Sequence, residues 1–411
     1  MADIVFAFDP AIDRPLAIPA KAHPAVAEIV GRAAANAFAE AVAVAHRGQA
    51  SLLVIGGRWL DPHRASPAQA AAVRAAVIEL AAAGCRTVYL AADADVCRDM
   101  SRMLGEPAGL FFVTPQAALD LEVHGILVEL VAAGPLATLP SPIADADAGL
   151  PRRRIVIGQD TSTVFSPTDD QWHGERDSAA DFVAAAAGSP AWTQPGSFWI
   201  WASRQASALP PGIHHLPALQ PRSPHERSFG ACYTLTLIDR GHSPQEATWH
   251  PDWRSSWRDI PTQQVGWRTV RIESPAGAAE ELATALWSAL EQVAPGEQAA
   301  LELVHCIVEC GTSVPRRVHV GEIADETLAR LRNLFDPKTF RAWCTELVAD
   351  PTESLAPLGH ARSGGRPGAT TSFTSALADI VQVIEQTPSS PLPPAAARAA
   401  GWVALELIES A

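Results

Sequence analysis

Short apolar runs alternate with alanine-rich amphipathic stretches through the first half of the chain. Residues 4–8 form an apolar run that stops at Asp9 and Pro10, and 51–55 form a second that stops at Gly56 and Gly57. A third covers 87–90 and is followed by Ala91-Ala92-Asp93-Ala94-Asp95. Between them, 26–46 and 67–83 carry helical periodicity. Ser66 stands as N-cap of the second helix, with Gly84 as its stop. Strands at 109–113, 123–131 and 154–157 and a short element at 180–187 continue the alternation, which predicts a layered α/β domain.

Beyond that point the pattern changes. Prolines and tryptophans thicken over 190–224 and helical periodicity disappears, so the stretch reads as irregular. Residues 231–238 alternate like a strand. Trp249, Trp253, Trp257 and Trp267 follow, and their simplest role is packing beneath a loop-rich segment rather than caging a ligand. A run at 270–273, a helix at 276–293 and a run at 301–309 read as β-α-β in a small α+β module. In the tail, two amphipathic pieces at 373–385 and 394–409 flank a proline-rich break. The 139–150 segment, rich in Pro, Ala and Asp, is a loop or linker.

Length and charge narrow the options. A chain of 411 residues exceeds one ordinary core and calls for two or three domains. A net charge of −14 opposes broad, unassisted nucleic-acid binding, which needs a basic surface. Arg152, Arg153 and Arg154 form the one tight basic cluster; a solvated strand entrance is the preferred reading, DNA contact the alternative. None of the six cysteines makes a C-x-x-C pair, and Cys306 and Cys310 flank Val308 in an apolar run that suggests buried thiols. Neither a secretory leader nor a run of about 20 apolar residues is visible, so a cytoplasmic protein with reduced thiols is expected. His214, His215 and His225 lie in the proline-rich region; adjacent strand residues face opposite ways, so at most one of His214 and His215 serves a given site.

Several segments match, in order and spacing, a series of known motifs. Phe8-Asp9-Pro10-Ala11-Ile12-Asp13-Arg14-Pro15-Leu16 resembles the opening A-D-x-H-L-D-x-P-L. Val54-Ile55-Gly56-Gly57-Arg58-Trp59-Leu60-Asp61 resembles I-A-G-D-L-Y-D, and 88–95 the strand leading into G-N-H-D. Asp181-Phe182-Val183-Ala184 resembles the D-Y-x-A that introduces G-H-x-H. Leu219-Gln220-Pro221-Arg222, with Glu226 and Gly230, resembles a Q-G-R…E…G segment. Taken together these segments resemble the calcineurin-like metallophosphoesterases, specifically the SbcD/YhaO-like DNA repair exonucleases of bacteria, and the resemblance implies a four-layer α/β/β/α metallophosphoesterase-like sandwich at 1–240, a small α+β capping domain at 241–345, and a linker with C-terminal helices at 346–411.

The chemistry of that family uses two cations about 4 Å apart, bridged by a carboxylate and a water, with a histidine as general acid. This chain departs from it throughout. Asp9 persists, but the D-x-H histidine is Ala11. The bridging aspartate is Arg58, while Asp61 remains. G-N-H-D has become Ala92-Asp93-Ala94-Asp95; the strand that should carry a lone histidine ends Gly158-Gln159; G-H-x-H falls at Ala186-Ala187-Gly188-Ser189. The vestigial site is thus Asp9, Arg58, Asp61, Asp93 and Asp95. Borderline transition metals depend on the lost imidazoles, and Arg58 adds positive charge where cations would sit, so no metal is expected. Arg58 is expected to pair with Asp9, Asp93 or Asp95 instead.

Two readings follow. The first is a catalytically inactive homologue, a homodimeric scaffold or regulatory subunit of an SMC-like (SbcC/YhaN-type) ATPase that meets DNA through the complex. Its C-terminal helices would dock on the ATPase coiled coil. The alternative is an active metal-dependent phosphoesterase or nuclease that holds manganese or magnesium through Asp9, Asp61, Asp93 and Asp95. A third idea is a regulatory module that binds a phosphorylated ligand through Arg58.

Overall fold

In a computed structural model of the chain, the structure describes residues 2–17, 22–133, 152–159, 178–187, 197–204, 209–223, 226, 229–239, 248–249, 256–273, 279–292, 299–309, 318, 323–333 and 341–349. The chain divides into two compact units, which part in the C-terminal half between Val265 and Gly266. The segments read as C-terminal helices lie outside the described residues.

In the first unit, β1 (Ile4–Phe8), β2 (Leu52–Gly56), β3 (Arg86–Leu90) and β4 (Leu110–Val113) pair in parallel. β1, β2 and nearly all of β3 are buried along their length, as strands covered on both faces must be. The strands are linked through α1 (Pro24–Arg47), α2 (Pro67–Ala82) and α3 (Ala94–Leu104). Ser66 caps α2 as expected, in a reciprocal box with Gln69, and Pro67 opens the helix. Past β3, α3 begins at Ala94, because the Asp93 carboxylate accepts from the backbone of Asp95 and Val96.

A second sheet contains β5 (Leu119–Val123), β6 (Ile126–Ala133), β7 (Arg152–Gln159), β8 (Ser197–Ala202) and β9 (Ile213–Leu216), in that order. The strand expected at 123–131 is present as β6 from Ile126 onward, and its first residues turn out to close a hairpin with β5. His124 and Gly125 both take positive φ, as a two-residue turn requires, and Val123 pairs with Ile126. The irregular reading of 190–224 is also corrected, since β8 and β9 lie there. Ser-Phe-Trp-Ile-Trp-Ala is buried at every position, so it shows no alternation to reveal it. Helix α4 (Ser178–Ala187) accompanies this sheet.

The apolar side chains sort by strand period. Ile4, Phe6 and Phe8 share a core with Val128, Leu130, Ile155, Ile157, Phe198 and Ile200 of the second sheet. Val5 and Ala7 turn the other way, into a core with α1, α2 and α3 through Phe38, Val77 and Met100. On the second sheet, Val156, Trp199 and Trp201 meet Phe182 and Ala186 of α4. Gly158 permits that contact: a Cβ there would lie 2.6 Å from the Phe182 ring. Arg154 makes a buried two-point pair with Glu129 (2.9 and 3.1 Å) and Arg152 binds Asp120, so two members of the basic cluster are committed to neighbouring strands.

β10 (Ala231–Leu235) joins β1 antiparallel and β13 (Arg258–Pro261) joins β10, which gives the first sheet the order β13-β10-β1-β2-β3-β4. A two-residue ladder joins β11 (Ile238–Asp239) to β12 (Thr248–Trp249). The second unit holds β14 (Val265–Glu273), β15 (Leu301–Glu309) and β16 (Ala342–Ala349) with α5 (Ala279–Gln292) and α6 (Ala324–Asn333). Leu282, Leu286 and Leu290 of α5 fall on one helical face and pack on Val270, Val304 and Cys306. The β-α-β expected there is present, and α6 and β16 extend it. The chain is mixed α/β, and no helix among the described residues is long and apolar enough to cross a membrane.

Candidate functional site

The site lies where β1 and β2 end. Past Phe8 the chain stays beside its neighbour: the Asp9 amide donates to Gly56 O (2.9 Å) and the Ala11 amide to Arg58 O (2.8 Å). Asp9 and Ala11 do this at φ of 48° and 40°, a backbone region that non-glycine residues seldom adopt. Such strain concentrates at sites the surrounding structure holds in place. Gly57 makes the approach possible at φ 68°, because a Cβ there would be 2.8 Å from the Phe8 ring and 3.0 Å from the Asp9 amide. Its carbonyl accepts from Tyr89 Oη (3.0 Å) and its amide donates to Gln159 Oε1 (2.9 Å). Gln159 Nε2 also donates to Leu90 O (3.1 Å), so the residue at the end of β7 ties the second sheet to the ends of β2 and β3.

Charged groups converge on this frame. Asp9 Oδ1 accepts from the Arg58 amide (3.1 Å) and lies 3.5 Å from Arg58 Nε. Arg204 Nε donates to Asp9 Oδ2 at 2.6 Å. Arg222 reaches in from the loop after β9 and donates to Ala11 O (2.9 Å). Burial alone would raise the Asp9 carboxyl. The guanidinia of Arg204, Arg58 and Arg222 outweigh that and hold it well below the usual carboxylate range. Burial, against the pull of Asp9, lowers the Arg58 guanidinium to about 10. Burial also pushes Glu226 up to about 7, although Arg204 and Arg222 oppose it.

The loop with Arg222 and Glu226 is itself firmly placed. Buried Gln220 accepts at Oε1 from the amides of Gln264 and Val265 and donates to Pro221 O and Val265 O. Gly230 passes so near Leu219 O that a Cβ would be 2.4 Å from it. The Leu219 amide donates to Phe8 O (2.9 Å), which brings this loop to the end of β1.

The five residues singled out from the sequence separate into two groups. Asp9 and Arg58 meet. Asp61 follows β2 but binds Arg14 (3.3 Å) and the His63 amide (2.9 Å), which lower its carboxyl against the effect of burial. Asp93 is spent on capping α3, and exposed Asp95 pairs with Arg98 at 2.8 Å. Arg58 therefore pairs with Asp9, and not with Asp93 or Asp95. Among the described residues, no three His, Cys, Asp or Glu side chains gather as a metal ion would need. Of the G-H-x-H positions, Ala186 is buried in the core beneath α4, and 188–189 lie outside the described residues, as does His225. His214 stacks on Phe198 (4.4 Å) and His215 bonds with Ser203 Oγ (3.1 Å), on separate partners as their adjacency implied.

Sequence reading missed Arg204 because β8, which delivers it, was missed. Its signal was the unbroken aromatic and β-branched run at 197–202. Arg222 and Glu226 stand in a segment that carries the resemblance, but nothing in their spacing assigned them a role in the site. Compared with the models of known protein families and with curated proteins, the chain matches none.

Proposed function

We propose that this chain is a catalytically inactive relative of the calcineurin-like repair exonucleases, built as a four-layer α/β/β/α sandwich. The arrangement of apolar cores supports the layering: α1–α3 on one face of the first sheet, the second sheet on its other face, and α4 beyond. The vestigial motif positions fall where that family keeps ligands, after the carboxyl ends of β1, β2, β3 and β7. One observation carries the loss of catalysis: the Arg58 guanidinium occupies the Asp9 carboxylate, with Arg204 on the other oxygen. A pair of divalent cations does not fit this donor set. Asp9 already serves two guanidinia, and a cation beside Arg58 would meet like charge in a buried setting where screening is weak. Scaffolding or regulation of an SMC-like ATPase as a homodimer, with DNA met through the complex, is the role the resemblance supports.

Calorimetric titration with Mn²⁺, joined to a nuclease assay on single-stranded and plasmid DNA, tests the loss of chemistry. The expected result is no saturable heat and no cleavage. Metal-dependent cleavage that disappears in both Asp9→Asn and Asp95→Asn would overturn the reading in favour of a rebuilt Mn²⁺ or Mg²⁺ site. Co-purification of the full chain with an SMC-like ATPase of the same genome tests the scaffold role, for which a stable complex is expected.

A further inference from the structure

Two thiols meet in the core of the second unit. Cys306 on β15 and Cys344 on β16 stand 38 residues apart in sequence, and their sulfurs lie 3.0 Å from each other. That is about 1 Å longer than the roughly 2.05 Å of a sulfur–sulfur bond. Both side chains are buried, in one apolar cluster with Val304, Leu286 and Leu290. Cys85, Cys97 and Cys232 make no sulfur–sulfur contact among the described residues.

A bulge creates the meeting. Val304 pairs with Cys344 and His305 with Glu346, so Thr345 is an extra residue in β16. Strict alternation would turn Cys344 and Leu347, three positions apart, to opposite faces. With Thr345 inserted, both face the core. The bulge is pinned from two sides. Thr345 Oγ1 donates to Val304 O (3.0 Å), and the Arg332 guanidinium of α6 donates to Cys344 O (3.3 Å) and Thr345 O (2.9 Å). The backbone around Cys344 is therefore held in the register that brings its sulfur to Cys306. Small molecules reach the pair through β16, which is the edge strand in the order β14-β15-β16. Opening β16 breaks one ladder, whereas β15 is paired on both sides.

We propose that Cys306 and Cys344 are a reversible redox pair, closed to a disulfide by the disulfide of a low-molecular-weight thiol, and that the bond locks β16 onto β15. While β16 is open, Cys344 attacks one sulfur of the small disulfide and releases the first thiol, leaving a mixed disulfide. Cys306 then attacks the Cys344 sulfur and releases the second. Two protein thiols are oxidised, one small disulfide is reduced, and both thiol protons leave on the released thiols. The Cys344 thiol and burial together hold the Cys306 thiol well above its ordinary range, which makes Cys344 the first attacker. That first step removes the larger of the two causes. In reducing surroundings the pair rests as the dithiol.

The test holds the full chain in glutathione buffers of graded oxidised-to-reduced ratio, blocks the remaining thiols with N-ethylmaleimide, and maps peptides by mass after cleavage at glutamate. Cleavage after Glu309 separates Cys306 from Cys310, so the partner of Cys344 is identified in the wild-type chain. The expected product is a Cys306–Cys344 link that grows with the oxidised fraction and disappears on return to reduced glutathione. A bond closing 38 residues should slow the opening of β16, read by hydrogen exchange on its peptides, on the order of a hundredfold or more. Cys306→Ala should abolish that slowing. Two blocked thiols at every ratio, a persistent glutathione adduct on Cys344, or a link to Cys310 would each overturn the pairing. A link that reduced glutathione does not open would overturn its reversibility. A linked chain whose β16 amides exchange as fast as before would overturn the lock. Should Cys306→Ala not fold, the wild-type link and its exchange rates still decide.

Discussion

Replacing Asp9 by asparagine removes a charge and almost nothing else. The side chain keeps its shape, and an amide oxygen can still accept from the Arg58 backbone N–H. Two guanidinia lose one counter-charge: Arg58, with 5% of its side chain exposed, and Arg204, with 14%. Removing one partner of a buried pair costs about 3–5 kcal/mol, because the remaining charge stays buried and uncompensated. Since the hydrogen bond persists, the lower end, about 3 kcal/mol, applies to Asp9→Asn. That equals a rise of roughly a hundredfold in the opening equilibrium. Because the chain has two compact units, hydrogen exchange on peptides from β1 and β2 is the suitable assay, as it reads the opening of that sheet alone. The pH dependence has a defined sign. The folded-state pKa of Asp9 is depressed, so its contribution is present above the unfolded value of about 3.9 and is lost as pH falls through the folded value. The gap between wild type and variant should hold from pH 8 to about 4 and close only below that. An asparagine variant whose β1 and β2 amides exchange no faster than wild type at pH 7 would refute the idea that Asp9 compensates buried arginine.

Gly57→Ala should destabilise the first unit by about 1–3 kcal/mol, from a strained φ of 68° together with a Cβ 2.8 Å from the Phe8 ring; urea denaturation checks this, and a change within error would refute it. Glu226 works in the opposite sense to Asp9. Its folded pKa is raised to about 7, so its contribution to stability is present below the unfolded value and is lost as pH rises through about 7. Glu226→Gln should accordingly gain stability relative to wild type between pH 5 and pH 8. Parallel thermal melts measure the difference, and a flat one would argue that Glu226 titrates normally.

Local chemistry was legible where neighbours in sequence determine it. The Ser66 cap, with Pro67 and Gln69 beside it, reads directly because all its parts lie within one turn. Strands β1 to β3 read directly because both their faces are covered and the apolar runs are continuous. The same continuity hid β8, since prolines and tryptophans around an unbroken apolar run give no period to count. The sequence marks Asp93 only as a vestigial site position. The amides at 95 and 96 decided for the cap once α3 was in place.

The sequence by itself determined that the site could not keep the form of the motifs it resembles: Ala11, Ala94, Ala187 and Ser189 stand at imidazole positions, the strand that should carry the lone histidine ends Gly158-Gln159, and arginine stands at the bridging carboxylate. Only the tertiary structure decided what takes the place of that chemistry. Arg204 and Arg222 lie some 200 residues from Asp9 along the chain, 195 for Arg204, and no local rule connects them. They arrive because β8 ends beside β1's carboxyl end and because Gln220 and Gly230 hold the loop after β9 against Phe8 and Val265. Which carboxylate a guanidinium compensates depends on distance and burial, and both are properties of the folded chain.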